Sequence, residues 1–215
     1  MHVAEIWRYP VKSMAGESLR EADVLSDGIA GDRGVIVVDG RDRLVTARTH
    51  PKLLGLRATI GADGEPWVDG RPWNHPDVER AVEAAAGRGS RLLRWDGPER
   101  FDVLPLLVAT DGAIAAFGRD SRRLRPNLVI AGVEGLAERG WERAELQAGS
   151  VRIAVQDLRG RCVMTTYDPD TQAQDPSVLR DIARHFGGRL ALNCAVLEPG
   201  TLRLGDPVEV NRAAR

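Results

Sequence analysis

Apolar and polar residues alternate in short segments along the first ninety residues, which is typical of β-strands separated by turns. Residues 3–10 alternate with a period of two and end at a proline. Residues 35–38 (VIVV) predict a strand buried on both faces, and 39–42 (DGRD) predict a hairpin turn from which 44–48 return. Further extended segments are predicted at 18–25 and 53–60. Short strands with glycine-rich turns favour a barrel or a sandwich for this half.

Three segments have apolar residues at helical spacing together with signals for helix ends. Residues 77–86 lie between Pro76 and Gly87, and residues 110–117 offer Thr110 or Asp111 as the N-cap. The clearest helix follows near residue 175, where Asp175 is the predicted cap, Pro176 the first helical residue and Gly187-Gly188 the end. Its predicted buried face consists of Val178, Leu179, Ile182, Ala183 and Phe186.

The second half of the chain continues with strands more than helices. Strands are predicted at 91–95, 126–131, 151–155 and 190–197, and 202–210 is expected to return from 190–197 as a closing hairpin. The predicted class is therefore mainly β with accessory helices (α+β). A junction near 97–102 divides the chain into an N-terminal unit, 1–96, and a C-terminal unit, 97–215.

Composition and charge exclude several classes of protein. A formal net charge of −1 gives no indication of a nucleic-acid or membrane partner, and no apolar run approaches the roughly 20 residues of a spanning helix. Because the chain begins directly with a strand-like pattern, we expect no signal peptide. Cys162 and Cys194 are the only cysteines and form neither a disulfide framework nor an iron–sulfur set. We therefore expect a cytoplasmic protein.

Common catalytic motifs are absent from the sequence. There is no phosphate loop, no dinucleotide fingerprint and no zinc spacing, and the four histidines are scattered. Lys12 and Lys52 are the only lysines in an arginine-rich chain. Abundant arginine is therefore weak evidence for phosphate binding, whereas the placement of a lysine is more informative.

The most distinctive stretch for chemistry surrounds Cys162, at residues 156–171. Arginine next to a thiol stabilises the thiolate, which is both a nucleophile and a soft metal ligand. A free cysteine equally packs as a small apolar residue, and this stretch alone favours that simpler interpretation. Anion-binding residues lie in loops at Lys12-Ser13, Asp32-Arg33 and Arg125-Pro126-Asn127. Together with the arginine-flanked thiol, these loops predict a phosphorylated, heterocyclic cofactor.

The order of these motifs resembles the MOSC superfamily, named for the C-terminal domain of molybdenum cofactor sulfurase, preceded by its N-terminal β-barrel domain. Within it, the pattern is similar to the mitochondrial amidoxime-reducing component and the bacterial YcbX-type proteins. The resemblance runs nearly end to end. It rests on residues 9–13 (YPVKS), 31–33 (GDR), 45–48 (VTAR), 125–129 (RPNLV), 161–162 (RC) with 165–171 (TTYDPDT), 199–201 (PGT) and 205–208 (GDPV).

The resemblance implies a MOSC-type β-barrel core after an N-terminal β-rich domain, and a molybdenum-pyranopterin cofactor. Cys162 would be the thiolate ligand to molybdenum and a catalytic residue. Asp102, in FDVLP at 101–105, would be the second catalytic residue and assist proton delivery, for which a raised pKa would be suitable. The residues matching positions that hold the pterin and its phosphate are Lys12, Ser13, Arg33, Arg125, Asn127 and Arg161.

The implied activity is a two-electron reduction of small N-hydroxylated or N-oxide-type substrates. Because two cysteines cannot hold a cluster, electrons would come from a separate redox protein. The chain departs from the pattern at Arg159-Gly160, where relatives often have Cys-Ser, and at Val103, where a hydroxyl is expected. Two alternatives remain open: a sulfur-transfer module with a persulfide on Cys162, and a cofactor carrier without turnover.

Overall fold

The computed structural model describes residues 1–211, in which strands predominate and three α-helices accompany them. This confirms the predicted mainly β fold with accessory helices. The strands are β1 (His2–Arg8), β2 (Glu17–Leu19), β3 (Glu21–Leu25), β4 (Gly28–Ile29), β5 (Val35–Val38), β6 (Leu44–Val45), β7 (Ala58–Ile60), β8 (Pro66–Val68), β9 (Arg71–Pro72), β10 (Arg91–Arg94), β11 (Leu106–Thr110), β12 (Leu128–Ala131), β13 (Glu145–Ala148), β14 (Val151–Gly160), β15 (Arg189–Glu198), β16 (Gly200–Arg203) and β17 (Val208–Asn211). The α-helices are α1 (Pro76–Ala86), α2 (Asp111–Phe117) and α3 (Ser177–Phe186), and 3₁₀ helices lie at Pro51–Gly55, Pro98–Arg100, Ser121–Arg123, Ala137–Trp141 and Val163–Thr166.

The largest sheet draws strands from both halves of the chain. Its eight strands run in the order β17-β13-β14-β15-β11-β12-β1-β2, and the β11–β12 pair is its one parallel neighbour pair in the described chain. Strand β1 is antiparallel to β12, with Ile6 opposite Leu128. The loop that follows β1 therefore lies beside the loop that precedes β12, which brings the segment of Lys12 to the segment of Arg125.

Three smaller sheets, β10-β5-β6, β16-β3-β4 and β7-β8-β9, accompany the large one. Strand β5 is buried along its whole length, which confirms the prediction from its VIVV sequence. One apolar core surrounds the large sheet, a second joins β5 to α1 and Pro51–Gly55, and a third joins α2 to α3. Met164 and Tyr167 pack against the second core, so the segment after Cys162 is anchored on the N-terminal half.

The first two predicted helices are confirmed. Helix α1 begins at Pro76 and its C-cap is Gly87. In α2 the Thr110 hydroxyl accepts a hydrogen bond from the backbone N–H of Ala113 at 3.1 Å, so Thr110 rather than Asp111 is the N-cap.

Helix α3 is confirmed with a small shift at its start. The Asp175 carboxylate accepts a hydrogen bond from the backbone N–H of Ser177 at 3.0 Å, and Pro176 precedes the first helical residue instead of being that residue. Leu179 is half-buried and Ala183 is exposed, so the buried face is narrower than predicted. It consists of Val178, Ile182 and Phe186.

Two strand predictions were wrong. Residues 53–60 do not form one strand, because Pro51–Gly55 is a 3₁₀ helix and only Ala58–Ile60 is extended. The closing hairpin is also wrong: β16 pairs with β3, where Leu202 lies opposite Ala22, and β17 pairs with β13. Both partners are distant in sequence, so the local pattern could not show them.

Strand β14 is longer than the predicted segment 151–155. It continues to Gly160 through shifts of register against β15 at Val155/Asp157 and Leu158/Gly160, which carries the chain directly to Cys162. The division of the chain at residue 96 stays a prediction, and the large sheet contains strands from both sides of it. Among the helices of residues 1–211, none is long and apolar enough to cross a membrane.

Candidate functional site

A cleft lies where the two halves meet, and Cys162 is one of the residues that line it. Among the described residues that line it, seven are cations and one is a carboxylate, Asp102. Such an excess of positive charge in a concave site attracts a ligand with several negative charges. The cations are Lys12, Arg33, Arg48, Arg123, Arg125, Arg159 and Arg161.

Asp102 joins three of these cations from both halves of the chain. Its Oδ1 lies 3.1 Å from Lys12 Nζ, and its Oδ2 lies 2.8 Å from Arg48 Nη2 and 3.2 Å from Arg159 Nη2. Burial alone would raise the pKa of Asp102, but the neighbouring Lys12, Arg48 and Arg159 lower it. The carboxylate is therefore ionised at neutral pH, and the raised pKa expected for proton delivery is not observed.

Lys12 is almost fully buried beside this carboxylate. Burial lowers the pKa of Lys12, although the charge of Asp102 and its hydrogen bond act in the opposite direction. The ammonium group also donates a hydrogen bond to the carbonyl oxygen of Glu99 at 2.5 Å. Lys12 therefore lies in the cleft, as predicted. Its ammonium group already contacts two oxygen atoms of residues 97–102, the segment that joins the two halves.

Asp32 forms a buried frame between the loop after β1 and the loop before β12. Its Oδ1 accepts a hydrogen bond from the backbone N–H of Tyr9 at 2.7 Å, and its Oδ2 accepts one from Asn127 Nδ2 at 3.2 Å and pairs with Arg33. Asn127 Oδ1 in turn accepts a hydrogen bond from the backbone N–H of Leu107 at 3.1 Å. This frame fixes the loops that carry the predicted binding residues.

Asn127 differs from the sequence expectation. It is 1% exposed, and its amide is already bound to Asp32, Leu107 and the carbonyl oxygen of Trp7 at 3.3 Å. It is therefore not free to bind the edge of a heterocycle with both its donor and its acceptor. In this structure Asn127 positions Arg33 and the backbone around it.

Three of the predicted site residues have a left-handed backbone. The φ angles are 74° at Ser13, 53° at Arg33 and 56° at Arg125. This conformation is uncommon for residues other than glycine and raises the energy of the fold locally, and such strain concentrates at functional sites. Ser13 is also held by its hydroxyl, which accepts a hydrogen bond from the backbone N–H of Ala47 at 3.0 Å.

Two guanidinium groups lie half-buried in the cleft with little or no pairing. Arg125 stacks on the Tyr9 ring with 4.2 Å between Cζ and the ring centroid, and its side chain has no hydrogen bond or ion pair within residues 1–211. Arg161 Nη2 donates to the carbonyl oxygen of Leu124 at 2.8 Å, whereas its Nε has no partner in the same range. Burial lowers the pKa of each guanidinium to about 10. Partly desolvated cations without a protein partner favour an anionic ligand.

Cys162 lies between the end of β14 and the 3₁₀ helix Val163–Thr166. Its carbonyl oxygen accepts hydrogen bonds from the N–H and the hydroxyl of Thr165, at 3.1 and 2.9 Å. Burial lowers the pKa of Arg48, but the neighbouring Asp102 and Cys162 raise it by a larger amount. The thiol of Cys162 therefore lies beside this guanidinium. Cys194, by contrast, is completely buried, and burial raises the pKa of its thiol, so it belongs to the core.

The lining fits a metal that arrives with most of its ligands. No group of three or more potential metal-ligating side chains occurs in the described part of the chain, so a single thiolate would be the protein's contribution to such a metal. Next to it, a Cβ on Gly160 would have no atom within 4 Å, which leaves open space where relatives often have serine. A polyanionic, heterocyclic metal carrier satisfies both the unpaired cations and the single thiolate.

The structure places all eight predicted site residues in the cleft, namely Lys12, Ser13, Arg33, Asp102, Arg125, Asn127, Arg161 and Cys162. Among the lining residues that sequence reasoning did not select, four have charged or amide side chains. Arg48 appeared in the sequence only as part of the VTAR motif, and Arg159 only as a departure from the family pattern. No sequence signal indicated Arg123 or Asn193. The four are Arg48, Arg123, Arg159 and Asn193.

Comparison with known proteins agrees with this architecture. The MOSC N-terminal beta barrel domain matches residues 1–98, and the MOSC domain matches residues 113–209. The chain is 24% identical to mitochondrial amidoxime-reducing component 1 of Homo sapiens and 25% identical to mitochondrial amidoxime reducing component 2 of Macaca fascicularis, in each case over 96% of this chain and 82% of the relative.

A solved structure supports the fold independently. The YuaD protein from Bacillus subtilis superposes with a TM-score of 0.54 at 16% identity, over 99% of this chain and 96% of that one. The family matches and the named relatives indicate a family associated with molybdenum cofactor. The chain belongs to the MOSC superfamily and combines the MOSC N-terminal β-barrel domain with a MOSC domain.

Proposed function

We propose that this protein is a molybdenum-cofactor-dependent oxidoreductase that reduces small N-hydroxylated or N-oxide-type substrates. The observation that carries the proposal is the position of Cys162 in a cleft where seven cations surround one carboxylate. A persulfide carrier has no need of so many cations around its thiol, whereas a phosphorylated pterin does. The proposed substrate class is supported by the names of the relatives, which are amidoxime-reducing components.

The residues that would hold the cofactor lie in loops of both halves. Arg161 has an unused Nε donor and Arg125 has no ion pair within residues 1–211, and Arg33 and Lys12 line the same cleft with charges that Asp32 and Asp102 partly balance. Cys162 would supply the thiolate ligand to the metal. When bound, the cofactor supplies two-electron redox chemistry with transfer of an oxygen atom.

The protein's own residues would then bind and orient the substrate. Reduction of N–OH to N–H and water consumes two electrons and two protons. Since Asp102 is held ionised by Lys12, Arg48 and Arg159, we assign it the role of positioning these cations rather than donating a proton. In this proposal both protons enter the cleft from solvent, whose access is beside the exposed Val103.

The electrons would come from a separate redox protein. These 215 residues contain only two cysteines, of which Cys194 is buried in the core, so they hold no iron–sulfur cluster. The absence of a nucleic-acid or membrane partner and a cytoplasmic location also stay predictions.

The proposal is tested by elemental analysis of protein purified from a host that makes molybdenum cofactor. We expect close to one molybdenum per chain in the wild type and almost none in Cys162→Ala. Cys194→Ala is the matched control, because it removes the other thiol without touching the cleft, and it should keep the metal. Reduction of an amidoxime to the amidine with an artificial electron donor should follow the metal content.

The sulfur-transfer alternative gives a different result in the same preparation. Metal-free wild-type protein with a cyanide-releasable sulfur on Cys162 would overturn the oxidoreductase proposal. Metal-loaded protein that reduces neither amidoximes nor other N-hydroxylated compounds would instead support a cofactor carrier.

A further inference from the structure

A second cavity of about 380 Å³ lies next to the cofactor cleft. The two share Arg123, Arg125 and Met164 as common lining, but Cys162 does not line the second cavity. Its volume is in the range that accepts a small organic molecule. The proposed reaction does not use it, so its lining requires a separate explanation.

One part of the lining consists of fixed aromatic and apolar side chains. Trp7 is held by its Nε1–H, which donates to Glu5 Oε2 at 2.6 Å, and Tyr9 by its hydroxyl, which donates to the carbonyl oxygen of Pro126 at 3.1 Å. Burial raises the pKa of Tyr9 to about 12, so its ring stays neutral. The remaining apolar and aromatic side chains of this part are Ala15, Leu54, Met164, Tyr167 and Pro169.

Four arginines and one carboxylate form the charged part of the lining, and two of the arginines are neutralised by the protein. Arg122 Nη2 lies 2.7 Å from carboxylate oxygens of both Asp120 and Asp170, and Arg123 Nη2 lies 2.9 Å from Asp168 Oδ2. These pairs fix the loop walls and leave little charge for a ligand.

The other two arginines, Arg57 and Arg125, have no side-chain hydrogen bond or ion pair within residues 1–211. The hydroxyl of Tyr167 is likewise without a partner in that range. Unmatched cations beside fixed aromatic rings are the arrangement that recognises a flat ring bearing a negative group, because arginine pairs with carboxylate or phosphate through its planar fork.

We propose that the second cavity binds a planar aromatic anion, an aryl carboxylate or an aryl phosphate. The ring would lie among Trp7, Tyr9 and Tyr167, and the anionic group would meet Arg57, because Arg125 serves the cofactor in the proposed function. Arg57 is the diagnostic residue, because it lines this cavity and not the cleft of Cys162. The site is independent of the proposed reductase activity.

The test uses 2-naphthyl phosphate as the probe and isothermal titration calorimetry as the measurement, on full-length protein with and without cofactor. We expect saturable one-site binding to both forms. Arg57→Gln should weaken binding about fivefold, the effect of losing one partly exposed ion pair. Arg88→Gln, an exposed arginine that lines neither cavity, is the matched control and should bind as the wild type does. The neutral probe 2-naphthol should bind at least fivefold more weakly than the phosphate.

Three results would overturn the proposal. One is the lack of saturable binding up to about 1 mM probe, the weak limit for a specific small-molecule site. Another is binding that Arg57→Gln leaves unchanged. The third is binding that cofactor-loaded protein has lost, which would place the probe in the cleft of Cys162. Molybdenum content tests the proposed function separately. Failure of the second-cavity proposal therefore leaves the oxidoreductase proposal intact, and the reverse also holds.

Discussion

Replacement of Asp102 by asparagine tests the charge balance of the cleft most directly. The side chain is 27% exposed, and its carboxylate contacts Lys12, Arg48 and Arg159 at 2.8 to 3.2 Å. Asp102→Asn keeps the shape of the side chain and removes the one negative charge of the described cleft lining. The three cations then repel one another without compensation.

The expected loss of stability follows from these contacts. An exposed ion pair contributes up to about 1 kcal/mol, and removal of one partner from a buried pair costs about 3–5 kcal/mol. A half-buried carboxylate with three cations lies between these limits, so we expect Asp102→Asn to lower the free energy of unfolding by about 2 kcal/mol. In a protein of this length, that lowers Tm by about 4–8 °C.

Thermal unfolding of cofactor-free protein near neutral pH, followed by circular dichroism, measures this effect. Asp42→Asn is the control, because the Asp42 carboxylate pairs with Arg91 at 2.7 Å on the exposed surface and should contribute less than about 1 kcal/mol. A variant of Asp102 that unfolds at the wild-type temperature would refute the inferred role of this carboxylate.

Acid provides a second test of the same variant. Because the pKa of Asp102 is lower in the folded state, its stabilisation is present above the unfolded-state pKa of about 3.9 and is lost as pH falls through the folded-state pKa. The difference in Tm between wild type and Asp102→Asn should therefore be constant at neutral pH and close on acidification below about pH 4. A difference that persists in acid would show that charge is not its cause.

Three further predictions follow from the loops of the site. Arg125→Gln removes an unpaired guanidinium, so the molybdenum content measured by mass spectrometry should fall at least about tenfold. This is the effect of losing a charged hydrogen bond of about 1.5–3 kcal/mol. The Tm of the variant should change little. Gly16→Ala would place a Cβ 2.2 Å from the carbonyl oxygen of Arg8, so urea denaturation should show a free energy of unfolding lower by at least about 2 kcal/mol. Gly160→Ala is the control, because its Cβ would meet no atom within 4 Å. Burial raises the pKa of Tyr9 to about 12, so the rise in tyrosinate absorbance near that pH should be missing in Tyr9→Phe. The stability of the wild type should fall between about pH 10, which is the unfolded-state pKa of tyrosine, and about pH 12.

Local sequence patterns were sufficient where a single segment decides its own structure. The β-branched run of β5, the Thr110 cap of α2 and the apolar stripe of α3 each carry their signal within a few residues. Long-range pairing has no such signal. Strand β16 satisfies its backbone hydrogen bonds on β3, about 180 residues earlier, so its proximity to β15 in sequence was misleading.

The same distinction applies to the site. Cys162 and the loop cations were found from motifs, but the environment of Asp102 depends on where Lys12, Arg48 and Arg159 converge. Sequence alone therefore suggested a proton donor, whereas the three cations make it a counter-ion. Asn127 is similar, because only the fold shows that its amide is already occupied by the protein.

The pairing of β1 with β12 affects how the protein folds while it is synthesised on the ribosome. Strand β1 is synthesised first and has β2 close by in sequence for one edge, but the partner of its other edge, Leu128–Ala131, follows only after more than one hundred further residues, and β3 waits longer still for Gly200–Arg203. At usual rates of translation, this other edge of β1 stays unpaired for roughly 10 s. An unpaired edge is a template for strands of other chains. Nascent chains on neighbouring ribosomes thus compete with β12, and chaperone binding near the N-terminus would protect the yield of the folded protein.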